Sequence, residues 1–223
     1  MTLHVSRLPN DTVAGSRSTA VSSDVIASGP YPFFFKRVLD LVLVLLSLPV
    51  VLPLILMLAL LIALTGNMPF YAQQRIGRGG VSFRMWKLRT MVKHADKHLE
   101  VHLRKNPGAR AEWDSTQKLK NDPRITPFGK LLRKTSIDEL PQLFNVLNGT
   151  MSLVGPRPMM VGQEKYYHGY AYYELRPGIT GPWQVSDRND CAFLDRVIFD
   201  NNYARQMSLK TDVTLLVKTI GVV

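Results

Sequence analysis

Apolar and polar positions divide the chain into three stretches. Residues 1–32 are rich in Ser, Thr, Gly and Pro with little apolar periodicity, and read as a disordered N-terminal tail. Val38 to Leu64 form an apolar run whose only charge is Asp40, and no charge follows from Leu41 until Arg75. A soluble core helix does not need that length, so residues 33–70 read as a membrane element. Residues 71–223 mix polar and apolar positions and read as a single cytosolic domain.

Pro49 and Pro53 lie inside the apolar run. An interior proline removes one helical hydrogen bond and clashes with the carbonyl a turn earlier, so a kink or break is expected there. At ~1.5 Å per residue the run reaches about 40 Å, enough for a ~30 Å hydrocarbon core. Length therefore allows a spanning anchor or a segment that dips in and returns. Lys36 and Arg37 precede the run, and Arg75 and Arg78 follow it. Basic flanks prefer the cytoplasmic side, and a dip satisfies both flanks at once. Asp40 beside Arg37 reads as an interfacial ion pair. A spanning helix with a proline kink stays open on these residues alone. No small-residue cleavage pattern follows, and the preceding region is too long for a signal peptide.

Beyond the run, Val81–Leu88 alternates loosely and predicts a strand. Val92–Arg104 and Ala109–Leu119 predict polar helices separated by Pro107-Gly108. Asn121–Pro127 reads as a turn-rich link and Phe128–Arg133 as a helical turn with a basic face. Ser136–Leu147 predicts a helix that buries Leu140, Leu143, Phe144 and Leu147 and stops at Asn148-Gly149. Gly155–Pro158 and Arg176–Gly181 read as loops. Leu209, Val213, Leu216, Val217 and Ile220 share one face of a last helix, suited to a membrane surface or to core packing. The fold class is mostly α with little sheet.

The formal charge is +11, and of 28 basic residues only Arg7, Arg17, Lys36 and Arg37 precede the apolar run. The excess lies on the C-terminal part, where it suits anionic head groups, a phosphorylated substrate or nucleic acid. One cysteine, Cys191, excludes an intrachain disulfide framework.

The sharpest candidate for chemistry is Asp138-Glu139. Adjacent carboxylates at a helix start point about 100° apart, so one can bind a metal while the other attacks or accepts a proton. A structural reading competes: Ser136 with Glu139 matches a capping box, or Asp138 is itself the N-cap. Lys118, Lys120, Arg124, Lys130, Arg133 and Lys134 precede the pair, with only Asp122 opposing them. Such cations keep a carboxylate ionised and neutralise a nearby phosphate, although a solvated basic face is the simpler account of the lysines. Arg157 sits between two prolines, which lowers the entropy cost of presenting its guanidinium. His94, His98 and His102 recur every fourth residue, spaced for zinc or for a solvent-facing stripe. Tyr166, Tyr167, Tyr172, Tyr173 and Trp183 read as core or as stacking surfaces.

Taken in order, these blocks resemble the bacterial sugar transferases. They are Lys36-Arg37 with Asp40, the proline-broken segment, Gln74–Gly77, Lys87–Met91, Arg133 with Ser136–Val146, Met151–Pro158 and Arg176–Gly181. The likeness is to the small monotopic polyprenyl-phosphate hexose-1-phosphate transferases and runs from about Phe35 to the C-terminus. Glu112-Trp113 and Lys118–Asp122 are similar to the branch that begins exopolysaccharide synthesis.

The resemblance implies transfer of a hexose-1-phosphate, galactose or glucose, from a UDP-hexose to undecaprenyl phosphate, with release of UMP. It implies Asp138 as the nucleophile, Glu139 with Asp138 as the ligands of Mg²⁺, and Lys87, Arg133, Arg157, Arg188 and Asp200 as substrate-binding positions. It also implies a re-entrant helix broken at Pro53, with Pro49 as an extra proline, amphipathic interfacial helices, and a small catalytic part on the cytoplasmic face of the inner membrane. The implied partners are the two substrates and membrane lipid, with no nucleic acid, and a homo-oligomer stays open. Leu52, Ala63 and Asp187 depart from the family pattern, and the chain ends at Val223, short of the family's usual tail.

Overall fold

The computed structural model describes residues 26–116, 119–186 and 195–222. One long helix carries the rest of the molecule. A π-helical turn, Tyr31–Phe35, leads into α1, Lys36–Leu64. Helical backbone runs through both Pro49 and Pro53, so neither proline appears as an interruption of the helix. Each removes a donor, leaving the carbonyls of Leu45 and Pro49 without their usual partners. Both prolines lie on exposed positions.

Asp40, Val44, Ile55, Leu58, Ala59 and Ile62 are the buried residues of α1, and their three- and four-residue steps place them on one face. The opposite face exposes Leu45, Leu46, Val50, Leu56, Leu60 and Leu64. Tyr31–Leu64 is long and apolar enough to cross a membrane, with a mean hydropathy of 3.0 and only 17 % of its most apolar window buried. An exposed apolar face of that extent marks a contact with lipid or protein.

β1 (Phe70–Ile76) and β2 (Ser82–Leu88) form an antiparallel hairpin, with Phe70 opposite Leu88 and Ile76 opposite Ser82. β3 (Ser152–Val154) pairs in parallel with β5 (Gly178–Thr180), and β4 (Met159–Met160) adds to β1 to give the order β2-β1-β4. β2 was expected. β1 was not, because Ala-Gln-Gln-Arg has no apolar alternation.

Among the described residues the remaining helices are α2 (Ala95–Lys105), α3 (Pro107–Thr116), α4 (Pro127–Lys134), α5 (Gln142–Leu147), α6 (Ala171–Glu174), α7 (Pro182–Val185), α8 (Arg196–Gln206) and α9 (Leu209–Val222). Pro107 opens α3 as well as closing the segment before it. Thr126 caps α4, its hydroxyl accepting from Gly129 N at 2.9 Å.

The pleat of β2 puts Phe83 and Met85 on one side of the sheet and Leu88 on the other. Val44 and Leu48 of α1 pack with Phe83 and Met85, whereas Ile55, Leu58 and Ile62 pack with Leu88 and Leu132. Residues from both halves of α1 therefore join the domain core, one half with each face of β2.

Polar groups at the start of α1 fix this docking. Lys36 Nζ lies 2.7 Å from Asp212 Oδ2, and Tyr31 and Tyr203 hydroxyls each donate to the same carboxylate at 2.7 Å. Arg37 donates to the carbonyls of Val146 and Leu147, which end α5, at 2.6 and 3.1 Å. Asp40 accepts from Ser152 Oγ at 2.7 Å and from Leu153 N at 3.1 Å. The expected Arg37–Asp40 ion pair is thus replaced by contacts to α5 and β3, because both side chains lie on the buried face.

α9 buries Asp212 and Leu215, half-buries Leu216, and leaves Leu209, Val213, Val217 and Ile220 exposed as an apolar stripe.

Candidate active site

Pro141 sets the local backbone of the site. Lacking an N–H, it cannot continue a helix from Ile137, so the helix expected over Ser136–Leu147 splits. Ile137–Glu139 form a 3₁₀ turn and α5 begins only at Gln142. Ser136 takes a left-handed conformation, φ 53°, which turns the chain sharply into the carboxylates. Its side chain makes no capping hydrogen bond, so the capping box does not form, and Asp138 lies inside the turn instead of capping α5.

α5 also buries a different face from the one its leucines predict. Gln142, Asn145 and Val146 are buried, while Phe144 is exposed. Asn145 Oδ1 accepts from Trp86 N at 3.0 Å and its Nδ2 donates to Arg84 O at 2.7 Å. One side-chain amide thereby satisfies the free edge of β2 and locks the carboxylate turn against that strand.

Asp138 is only 7 % exposed. Glu139 Oε1 receives Lys87 Nζ from β2 at 2.6 Å. Arg75, Lys87, Glu139, Gln142, Arg157 and Gln184 line one pocket. Burial, together with the Glu139 charge, pushes the Asp138 carboxyl above its ordinary range, against the pull of Lys87 and Arg133. Burial also acts to raise Glu139, but Lys87, Arg157 and a hydrogen bond from Gln142 outweigh it and hold that carboxyl low. Adjacent carboxylates with opposed shifts are suited to different roles.

Arg157 reaches the pocket through two interlocked loops. Gly155 N donates to Thr180 O at 2.9 Å and Gly178 N to Pro156 O at 2.8 Å. A Cβ on Gly155 would collide with the Arg176 carbonyl, and one on Gly181 with the Gly155 carbonyl, so close backbone approach requires glycine there. The segments read as loops contain β5 for this reason. The Arg157 and Arg196 guanidinium groups each lie 5.5 Å from the centre of the Trp183 ring, and Arg196 donates to the Arg157 carbonyl.

The other expected site residues are more dispersed. Arg133 is exposed on α4, and its Nε donates to Thr90 Oγ1 at 2.8 Å. Asp200 does not line the pocket. It is buried on α8, accepts from the Tyr167 hydroxyl at 2.9 Å, and has its carboxyl pushed up to about 6 by burial. Arg188, Cys191, Asp187 and Lys118 lie outside the described residues. Arg124 is taken up by Asp122 at 2.7 Å and lies over Trp113. Tyr172 is fully buried and packs edge-on against Tyr173.

His94 has a left-handed backbone and precedes α2, which leaves only His98 and His102 within the helix. Among the described residues no group of three or more His, Cys, Asp or Glu could hold a metal. Magnesium needs fewer protein ligands, since it takes one or two carboxylates and completes its shell with water and substrate phosphate. The Asp138-Glu139 donor set fits that pattern.

Arg75, Gln142 and Gln184 were missed as pocket residues. Arg75 stands in the Gln74–Gly77 block, which was the available signal, but it had been read only as a flank of the membrane segment.

Glu139, Lys87, Arg75 and Arg157 line one pocket, with Asp138 next to Glu139 in the chain, in a domain packed on an apolar helix. The chain belongs to the bacterial sugar transferase family, which it matches over residues 31–223. It is 48 % identical to a UDP-galactose-lipid carrier transferase of Erwinia amylovora, over 85 % of this chain and 40 % of that protein. It is 46 % identical to an undecaprenyl-phosphate galactose phosphotransferase of Salmonella typhimurium, over 85 % and 40 %. It is 48 % identical to the exopolysaccharide production protein ExoY of Rhizobium meliloti, over 71 % of each chain. The chain thus spans two fifths of the length of the first two relatives and most of the third.

Proposed function

We propose that this protein transfers a hexose-1-phosphate from a UDP-hexose to undecaprenyl phosphate and so begins the lipid-linked assembly of an exopolysaccharide. The observation that carries the reading is the Asp138-Glu139 pair with its opposed electrostatics. It lies beside a pocket lined by Arg75, Lys87 and Arg157, in a chain related to transferases named for these substrates.

In this mechanism an Asp138 carboxylate oxygen attacks the β-phosphorus. The bond from that phosphorus to the oxygen bridging the two phosphates breaks, and UMP leaves with the electron pair. A phosphate oxygen of the lipid then attacks the same phosphorus, and the Asp138 carboxylate departs, giving a lipid diphosphate-linked hexose. Splitting the reaction in two lets one pocket serve both substrates in turn. Arg157 and Arg133 offset the charge of the phosphate as an anionic nucleophile approaches. Lys87 holds Glu139 ionised and next to Asp138. Asp138 and Glu139 are the residues that would hold Mg²⁺, which supplies further charge neutralisation when bound.

The membrane element is read as re-entrant, with both ends on the cytoplasmic face of the inner membrane and its break at Pro53 or Pro49. Support comes from contacts at both ends of α1. Ala27 N, before the helix, donates to Ala204 O of α8 at 2.7 Å, and Ile62 packs on Leu88 and Leu132. Both ends rest on one folded unit. The α9 stripe and the exposed Phe33, Phe34 and Phe35 extend the lipid-facing surface.

The test is incubation of the full chain with undecaprenyl phosphate, Mg²⁺ and a panel of UDP-sugars. UMP release with UDP-glucose or UDP-galactose is the expected result. UDP release would instead indicate a glycosyltransferase that moves the sugar without its phosphate.

A further inference from the structure

Among the described residues, Arg75 is a buried cation whose surroundings are incomplete. Arg75 lies in the middle sheet strand, paired to Phe83 on one side and Met160 on the other, so its backbone is fixed. The residue is 9 % exposed. Burying a guanidinium is costly unless an anion or a full set of acceptors compensates it. Arg75 has neither. One terminal nitrogen donates to Gln73 Oε1 at 2.8 Å and the other makes a long contact to Pro158 O at 3.4 Å. Its Nε is buried with no acceptor. Among the described residues no carboxylate lies within ion-pair distance of it. Burial first, and then the neighbouring Arg157, depress its pKa to about 10, which still leaves it charged at neutral pH.

The pocket that Arg75 lines explains such a residue. Lys87 and Glu139 neutralise one another there, and Arg75 and Arg157 add two further positive charges. A planar fork of donors suits phosphate oxygens better than a point charge does. We infer that Arg75 is a phosphate-binding residue, whose buried guanidinium donates to a phosphate oxygen of the substrate alongside Arg157. This rests on the transferase reading and adds to it a residue and a role. The phosphate could be the nucleotide sugar's diphosphate or the lipid's monophosphate, and the two arms of the experiment separate them.

Full-length wild type, Arg75→Gln and Arg75→Lys would be titrated in detergent with UDP-glucose in one arm and geranyl phosphate in the other, both with Mg²⁺. Ligand-free thermal unfolding would be recorded in parallel. Arg75→Gln is expected to weaken one ligand by about tenfold or more, with Arg75→Lys between the two. The arm that changes identifies the source. Because the glutamine removes an uncompensated buried charge, ligand-free Arg75→Gln should unfold at the same temperature as wild type or higher. Unchanged affinity in both arms would overturn the inference while leaving the transferase reading intact. A marked fall in unfolding temperature, or failure to fold, would make Arg75 structural and would also overturn it. If wild type bound neither ligand, the transferase reading itself would fall, and the inference with it.

Discussion

Lys87 Nζ lies 2.6 Å from Glu139 Oε1, and this ion pair ties strand β2 to the turn that presents Asp138. One lysine thus acts on both carboxylates. It holds Glu139 down and is the largest force opposing the rise of Asp138.

Lys87→Met should therefore raise the pKa of Asp138 further, since burial and Glu139 then act against fewer cations. If Asp138 must be ionised to attack, the acid limb of kcat/KM for UMP release moves to higher pH. Activity near neutrality should fall by about 10²–10³-fold, the usual cost of losing one preorganised electrostatic contact. Arg133→Ala should move the limb the same way by less. A pH profile that keeps its shape in Lys87→Met would contradict this coupling.

Asp200 provides a stability test with a defined sign. Its folded pKa of about 6 exceeds the ordinary aspartate value of 3.8, so the folded state binds the proton more tightly than the unfolded chain. Its contribution is fully present below about pH 4 and is lost as pH rises through about 6. Asp200→Asn mimics the protonated form, and should stabilise the protein by about 2 kcal/mol at pH 8 and leave it nearly unchanged at pH 4. Denaturant unfolding at the two pH values checks this. Destabilisation at pH 8 would mean that Asp200 is ionised and paired with Arg196.

Asp212 joins α9 to the start of α1 through Lys36, Tyr31 and Tyr203. Asp212→Ala strands a largely buried ammonium and two hydroxyls, and should cost about 3–5 kcal/mol. Thermal unfolding and protease resistance in detergent would register the loss, and wild-type behaviour would show that the junction is not needed.

Topology can be read by labelling in a Cys191→Ser background. Ser28→Cys and Asn67→Cys flank α1. If the helix is re-entrant, both resist an impermeant maleimide added to intact spheroplasts and both react after permeabilisation. Labelling of either one from outside would overturn the re-entrant reading.

The apolar stripe of α9 makes a separate claim about lipid. Val217→Trp places a fluorophore on that stripe. In vesicles containing brominated lipid its emission should be quenched relative to unbrominated vesicles. Lack of quenching would place α9 against water or protein instead.

Much of this organisation could be read from residue patterns. The apolar run, β2, α2 and α4 follow directly from periodicity and turn residues, and the carboxylate pair was recognised as the chemical centre. Failures occurred where tertiary contacts override local pattern. β1 lacks alternation and is a strand because β2 and β4 pair with it. α5 buries Asn145 because a free strand edge needs an amide more than a leucine, which no periodicity reveals. One helix was expected over Ser136–Leu147, yet the missing donor of Pro141 splits the segment, and Ser136 takes a left-handed backbone before it. Arg75 looked like a membrane flank because its burial depends on strands and loops distant in sequence.

The central claim is that Asp138 carries the phosphosugar. Its most direct measurement is intact-protein and peptide mass spectrometry after incubation with UDP-glucose or UDP-galactose and Mg²⁺ without lipid acceptor. The account predicts a hexose-phosphate adduct on the Asp138 peptide with release of UMP, lost on adding undecaprenyl phosphate and absent in Asp138→Asn. An adduct that persists in Asp138→Asn, or lipid product formed at the wild-type rate by that variant, would contradict it.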